Sequence, residues 1–347
     1  MVIKKTKKIK TGINGFGRIG RAFLKQAWER SDIEIVAIND LGSLESLAYL
    51  LRHDTVYRNW DHSVVIDGDN LVIDGKKIPV FAVKNPAEIP WGSVSADVVV
   101  ESTGLFTTYD SAGGHITGGA KHVVISAPAK QGIDAGVQGE TILLGVNEEL
   151  FGTCNVTSNA SCTTNASSPL IGILDQALGI EKALLSTTHG YTASQSLVDG
   201  PSKKDLREGR AAAQNIVPSS TGAAIAVTVA YPKLTGLFDG ISLRVPVPAG
   251  SIVDITFITK RDTTAEEVNE ILTNASRDPR WAGIFTVTNE PLVSSDILGS
   301  TYASIADLAM TRVVGGNLVK VLAWYDNEWG YTHTLVEHVI KAGNSGK

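Results

Sequence analysis

Over the first half of the chain, apolar residues come in short runs separated by polar stretches of helical character. Residues 9–13 predict a strand, residues 18–30 a helix and residues 33–39 a second strand. The runs Ala-Asp-Val-Val-Val-Glu at 96–101 and His-Val-Val-Ile-Ser at 122–126 hardly alternate. Continuous β-branched runs suit parallel strands covered on both faces. This half therefore predicts an α/β arrangement, a doubly wound parallel sheet.

The pattern changes after about Thr157. Residues 241–247 and 252–260 are β-rich and separated by Pro248-Ala249-Gly250-Ser251, which predicts adjacent antiparallel strands. Thr264-Ala265-Glu266-Glu267 reads as a capping box ahead of a helix. Residues 318–324 predict another strand and residues 329–341 a closing amphipathic helix. The second domain is expected to be α+β, with helices against a mainly antiparallel sheet. The polar segment 194–215 carries Gly200-Pro201 and Lys203-Lys204. A loop of that length in a compact domain is either functional, packed at an interface, or a flexible surface loop.

Length and composition narrow the classes. The chain has 347 residues, 43% hydrophobic and 19% charged, enough for two domains with ordinary cores. A net charge of -5 gives no general attraction to nucleic acid or an anionic membrane. No apolar run reaches the length of a membrane span. Lys4, Lys5, Lys7, Lys8 and Lys10 precede the first strand without an apolar h-region, so they read as a solvated start rather than a targeting signal. Two cysteines cannot build a disulfide scaffold, which fits a reducing cytoplasm. Asn159-Ala160-Ser161 and Asn274-Ala275-Ser276 then read as chance matches to a glycosylation triplet.

Gly15-Phe16-Gly17-Arg18-Ile19-Gly20 fits G-x-G-x-x-G, follows a predicted strand and opens a predicted helix. Gly15 serves the tight turn, Gly17 the approach of a pyrophosphate, and Gly20 close packing of helix on strand. The helix start offers free N–H groups to phosphates. Asp40, at the end of the next strand, stands where a carboxylate accepts hydrogen bonds from an adenosine ribose. It would repel a 2′-phosphate, so the expected cofactor is NAD rather than NADP.

Cys162 lies in Ser161-Cys162-Thr163-Thr164-Asn165, between a strand-like stretch (Asn155-Val156-Thr157) and a helical one at 169–174. A cysteine at a helix N-terminus is favoured as thiolate, the nucleophilic form. His189 follows the strand-like run 183–187 and is the candidate base. A cysteine protease also uses Cys and His, but the dinucleotide fingerprint points instead to oxidation of an aldehyde through a thioester. Cys154, within the apparent strand, reads as structural. His53, His62, His115, His122, His333 and His338 show no metal-ligand spacing, so no metal is expected. Ser161, Thr163, Thr192, Thr221 and Gly222 supply hydroxyls and amides for anions, and Arg244 supplies a fork for phosphate.

These residues resemble the phosphorylating glyceraldehyde-3-phosphate dehydrogenases along nearly the entire chain. The resemblance rests on the stretches around Gly15–Arg21, Asn39-Asp40-Leu41, Glu101-Ser102-Thr103-Gly104, Ser126-Ala127-Pro128-Ala129-Lys130, Asp199-Gly200-Pro201, Arg244-Val245-Pro246 and Trp324-Tyr325-Asp326-Asn327-Glu328. The octet Ser158-Asn159-Ala160-Ser161-Cys162-Thr163-Thr164-Asn165 is its most specific part. The resemblance implies a Rossmann-type dinucleotide domain over residues 1–161, completed by the closing helix at 327–347, and a catalytic domain over residues 162–326. It implies Cys162 as nucleophile, His189 as base, and NAD contacts from Gly15, Phe16, Gly17, Arg18, Ile19, Asp40, Lys84, Thr103, Ser126 and Asn327. Thr192 and Arg244 would hold the phosphate of glyceraldehyde 3-phosphate. Ser161, Thr163, Thr221 and Gly222 would line the inorganic phosphate site. The segment 194–215 would reach a neighbouring subunit in a homotetramer.

Two positions depart from the family pattern: Ala166 replaces a second cysteine and Ile225 replaces a lysine. The implied reaction is oxidation of glyceraldehyde 3-phosphate to 1,3-bisphosphoglycerate. A relative that oxidises erythrose 4-phosphate with water as acyl acceptor is the nearest alternative, and a non-catalytic NAD-binding regulatory or adhesion protein is a more distant one.

Overall fold

The computed structural model describes residues 8–130, 136–202 and 205–345. Lys4, Lys5 and Lys7, and Lys203 with Lys204, lie outside the described residues. The chain divides into two compact units. The first runs to Ile142 and takes in Glu149–Ala160 and the chain from Thr332 on; the second comprises Leu143–Glu148 and Ser161–Tyr331.

Unit 1 opens with β1 (Ile9–Asn14), α1 (Arg18–Trp28), β2 (Ile33–Asn39) and α2 (Leu44–Arg52). There follow β3 (Val64–Asp67), β4 (Asn70–Ile73), β5 (Lys76–Phe81), β6 (Val98–Glu101), α3 (Tyr109–Thr117), β7 (His122–Ile125), β8 (Gly139–Thr141) and β9 (Val156–Ser158). Among the described residues these strands form one sheet in the order β3-β4-β5-β2-β1-β6-β7-β9-β8. From β5 to β8 all pairs are parallel, and only β3 and β4 run as an antiparallel extension. The run Val98–Glu101 is buried at every position, as an unalternating strand requires. Chain order reverses between β1 and β6, where Asn14 pairs with Glu101.

Unit 2 begins with α4 (Cys162–Leu178) and β10 (Ile180–Gly190), then β11 (Val217–Ser220), α5 (Ala223–Ala230), β12 (Phe238–Val245) and β13 (Ser251–Thr259). It continues with α6 (Ala265–Ala275), β14 (Phe285–Thr288), β15 (Ser304–Asp307), β16 (Arg312–Val314) and β17 (Leu318–Tyr325). The closing helix α7 (Trp329–Ser345) starts in unit 2 and ends in unit 1. The strand order is β11-β12-β10-β13-β17-β15-β14, with β16 on β17, and most pairs are antiparallel. One face carries the core: Leu170, Leu174, Ile255, Phe257, Val319 and Val321 are buried together. β13 alternates buried and half-buried along its whole length, the signature of a sheet covered on one face.

Three sequence expectations need correction. β12 and β13 are not neighbours, because β10 lies between them, parallel to β12 and antiparallel to β13. Crossing over one strand means spanning about 10 Å, which a five-residue link such as 246–250 can reach; its two prolines cannot donate to a ladder. Secondly, only half of the capping box at α6 forms. Thr264 accepts from Glu267 N, but the Glu267 carboxylate turns away to Arg261 and Thr263. Thirdly, Cys154 precedes β9 rather than lying in it, and its thiol donates to Val156 O at 3.3 Å.

Candidate active site

Cys162 is the first residue of α4, and Ser161 caps the helix by accepting from Thr164 N at 3.1 Å. Just before the cap, Ala160 holds φ at 54°, a left-handed conformation uncommon for a residue with a Cβ. This sharp entry presents Cys162 at the positive end of a long buried helix. Its sulfur lies 3.3 Å from His189 Nε2.

His189 sits on β10 itself, one residue from its end. The parallel register pairs His189 with Arg244 on β12, so imidazole and guanidinium are cross-strand neighbours. His189 Nδ1 is 2.6 Å from Gly190 O and 2.7 Å from Arg244 Nη1. The carbonyl can only accept and the guanidinium only donate, so Nδ1 can satisfy one of them at a time. With Nδ1–H given to Gly190 O, Nε2 keeps its lone pair toward Cys162 and can take the thiol proton.

Burial first, and Arg244 second, push the imidazole down to about 3, so it is neutral at physiological pH. Burial pushes the Cys162 thiol up, against the opposing pull of Arg244 and of hydrogen bonds from Thr163. The thiolate expected from the helix end is therefore resisted by desolvation. Passing the proton from Sγ to Nε2 makes an ion pair at contact rather than two isolated charges, and the two groups titrate as a pair.

A residue to which sequence reasoning assigned no role stands behind this pair. The buried Tyr325 hydroxyl bridges Thr163 Oγ1 at 2.9 Å and Thr187 Oγ1 at 2.7 Å, and its ring meets His189 edge-on at 5.9 Å. Tyr325 thereby ties the first turn of α4 to β10, and burial keeps its hydroxyl protonated. The Thr163 hydroxyl is consequently turned inward, leaving its backbone N–H as the group an anion could use.

The other anion candidates are spread around unit 2. Thr192 Oγ1 is 3.0 Å from Ser194 Oγ, just past the end of β10. Thr221 accepts from Ala223 N at 3.1 Å, and Gly222 caps α5 with no side-chain bond and open space where a Cβ would stand. Asn327 is buried, its Oδ1 accepting from Gly250 N at 3.0 Å and from Ser251 Oγ at 2.9 Å. Ser251 in turn accepts from Gly190 N, beside His189. Among the departures, Ala166 is fully buried in the core and Ile225 stands 62% exposed on α5. The segment 194–215 is folded on itself: Gly200 N donates to Gly209 O, and Asp199 accepts from Ala211 N and Arg210.

In unit 1, a cleft at the β1–β6 switch point is walled by Asn14, Gly15, Gly17, Asp40, Lys84 and Thr103. Gly15 has φ 91°, and a Cβ on Gly20 would lie 2.1 Å from Gly15 O, so both glycines are needed by the turn and the helix packing. At Gly17 a Cβ would meet nothing within 4 Å. The glycine there keeps open space beside the start of α1, whose cap makes no side-chain bond. Asp40 Oδ2 accepts from Phe16 N at 2.6 Å and Oδ1 from Gly42 N at 2.8 Å, fixing the carboxylate at the cleft wall. Phe16 is buried, and the Arg18 side chain is held by Asp54, so neither side chain faces the cleft. Ile19 is the second residue of α1, and Ser126 follows β7, where its N–H donates to Glu101 O. Among the described residues, no cluster of His, Cys, Asp and Glu could hold a metal, and no helix is long and apolar enough to cross a membrane.

Two family models match the chain. The glyceraldehyde 3-phosphate dehydrogenase NAD binding domain matches residues 9–109, and the C-terminal domain of the same family matches residues 161–327. The chain is 48% identical to glyceraldehyde-3-phosphate dehydrogenase 2 of Streptomyces avermitilis over 97% of its own length and 99% of the relative's. It is 45% identical to glyceraldehyde-3-phosphate dehydrogenase of Geobacillus stearothermophilus, with the same coverage. Against the Neurospora crassa enzyme of that name it is 45% identical over 95% of the chain and 96% of the relative. The chain belongs to the glyceraldehyde-3-phosphate dehydrogenase family. Unit 1 thus holds the family's NAD-binding domain, and the open glycine edge, helix start and fixed Asp40 carboxylate of its cleft fit that cofactor. The Cys162–His189–Arg244 cluster lies within the matched C-terminal domain.

Proposed function

We propose that the protein oxidises glyceraldehyde 3-phosphate to its acyl phosphate, 1,3-bisphosphoglycerate. The observation that carries this reading is the contact of Cys162 Sγ with His189 Nε2, with Arg244 as the imidazole's cross-strand neighbour. Cys162 attacks the aldehyde carbon, forming a C–S bond, while His189 Nε2 takes the thiol proton and passes it to the former carbonyl oxygen, giving a hemithioacetal hydroxyl and a neutral imidazole. NAD, when bound, supplies the acceptor for the hydride that leaves this carbon. As the hydride leaves, His189 removes the hydroxyl proton and the carbon remains on Cys162 as a thioester. A phosphate oxygen then attacks the thioester carbon, the C–S bond breaks, and Cys162 recovers its electron pair.

Arg244 and Thr192 hold the phosphate of the substrate, while Ser161, the Thr163 amide, Thr221 and Gly222 receive the attacking phosphate. The N-termini of α4 and α5 supply its N–H donors. Asn327, with its carbonyl anchored, has its amide free to orient the nicotinamide carboxamide. The test is NADH formation with glyceraldehyde 3-phosphate across a range of phosphate concentrations. Turnover should saturate with phosphate, and arsenate should substitute for it. Full, sustained turnover without phosphate, with erythrose 4-phosphate as the better substrate, would replace this reading with the hydrolytic one.

NAD is preferred over NADP in this reading, because Asp40 accepts from the ribose and repels a 2′-phosphate, and Leu41 beside it offers no compensating group. Asp40→Ala should narrow the NAD-to-NADP ratio of kcat/KM by about tenfold or more. A native preference for NADP would contradict the assignment of Asp40.

The protein acts as a homotetramer. Leu184 (66%) and Ile241 (54%) stand exposed on the sheet of unit 2, and Leu197 (81%) and Leu206 (84%) on the 194–215 segment, apolar side chains that subunit contacts would cover. Sedimentation at micromolar concentration should give a species of four chains, and a monomer would contradict this.

A further inference from the structure

Beneath the cleft of unit 1 lies a buried carboxylate without a cation. Glu101 ends β6 and is 2% exposed. The groups around it offer donors, and the orientations of Asn14 and His115 are fixed by their other partners. Val83 donates its N–H to Asn39 Oδ1 and accepts from Asn39 Nδ2, which fixes that amide. Asn39 Nδ2 also donates to Asn14 Oδ1 at 2.7 Å, so Asn14 must present Nδ2 to Glu101. The Trp91 indole can only donate, and it does so to His115 Nδ1 at 3.0 Å. His115 therefore carries its proton on Nε2 and donates it to Glu101 at 2.9 Å. Thr103 donates its backbone N–H to Glu101 Oε1, and its hydroxyl, which accepts from Leu105 N, lies at hydrogen-bond distance from the same oxygen.

Three fixed N–H donors and the Thr103 hydroxyl surround its two oxygens, a setting that suits a carboxylate. His115, with Nδ1 engaged as an acceptor, is neutral and gives no compensating charge. Among the described residues no lysine or arginine pairs with Glu101. An uncompensated buried anion is costly to keep. Its position suggests what it serves. Asn14 and Glu101 are register partners at the ends of β1 and β6, the two strands flanking the switch point. A dinucleotide crosses the sheet there, with its second mononucleotide against the half that begins with β6. For NAD that half is the nicotinamide, cationic when oxidised and neutral when reduced.

We infer that Glu101, held by His115, Asn14 and Thr103, is an electrostatic floor for the nicotinamide half of the cleft that favours the oxidised over the reduced cofactor. This rests on reading the cleft as the NAD site. Calorimetric binding of NAD, NADH and ADP-ribose separates the two claims. In Glu101→Gln, NAD affinity should fall by about tenfold, with NADH and ADP-ribose, which lack the positive ring, changing far less. Glu101→Asp, which keeps the charge, should keep the native NAD-to-NADH affinity ratio. Should the single glutamine variant fail to fold because its amide meets only donors, Glu101→Gln combined with His115→Gln gives that amide an acceptor and carries the same measurement. Equal losses of NAD and NADH would reduce Glu101 to a structural role and overturn the inference. Failure of ADP-ribose to bind the native protein would instead overturn the cleft assignment.

Discussion

Cys162→Ser should abolish turnover while leaving the fold and NAD binding in place. The substitution keeps the shape at the start of α4, and the Ser161 cap, which accepts from Thr164, does not depend on the sulfur. What is lost is the proposed nucleophile. A serine hydroxyl is far harder to deprotonate than a thiol, and a site that already resists a buried thiolate would resist an alkoxide more. The expected fall in kcat is on the order of 10³-fold or greater, with the NAD affinity unchanged. Cys154→Ser is the control. Its thiol makes a single weak bond to Val156 O, so the change should cost at most about 1 kcal/mol of stability and no activity. Steady-state oxidation by Cys162→Ser within tenfold of the native rate would rule out covalent catalysis.

His189→Asn carries the second large effect. His189 is the only titratable group bonded to Cys162 Sγ among the described residues, and burial together with Arg244 keeps it unprotonated through the physiological range. Removing it should lower kcat by about 10²–10⁴-fold, the usual contribution of a positioned base. The sign of the accompanying pH effect follows from the pairing. In the proposed mechanism, thiol deprotonation is assisted by handing the proton to Nε2, where the imidazolium stays in contact with the thiolate. Without that acceptor the thiol must ionise alone in a desolvated site. The rate of Cys162 alkylation by iodoacetamide should therefore rise at a higher pH in the variant than in the native protein. An unchanged alkylation profile would show that His189 does not share the thiol proton.

Much of this site could be read from the sequence, because its chemistry is local. Cys162 falls at the start of a helix, and His189 near the end of a strand, because flanking residues encode those elements over short distances. The glycine fingerprint and Asp40 belong to one βαβ unit and are placed by it. What the sequence did not disclose depends on register between distant strands. Arg244 meets His189 because β12 pairs in parallel with β10, a pairing masked by the apparent hairpin from 241 to 260. Tyr325 reaches Thr163 and Thr187 from β17, and no spacing rule links those positions. The buried Glu101–His115 network likewise forms only when β6 lies against β1 and α3 covers it. The Thr163 hydroxyl, expected to face an anion, is taken by Tyr325 for the same long-range reason.

The covalent intermediate is tested most directly by mass spectrometry of the protein mixed with glyceraldehyde 3-phosphate and NAD in phosphate-free buffer. The expected result is one equivalent of NADH per site, an acyl group on the peptide containing Cys162, and its release on adding phosphate. Continued NADH formation over many turnovers with Cys162 unmodified would contradict it.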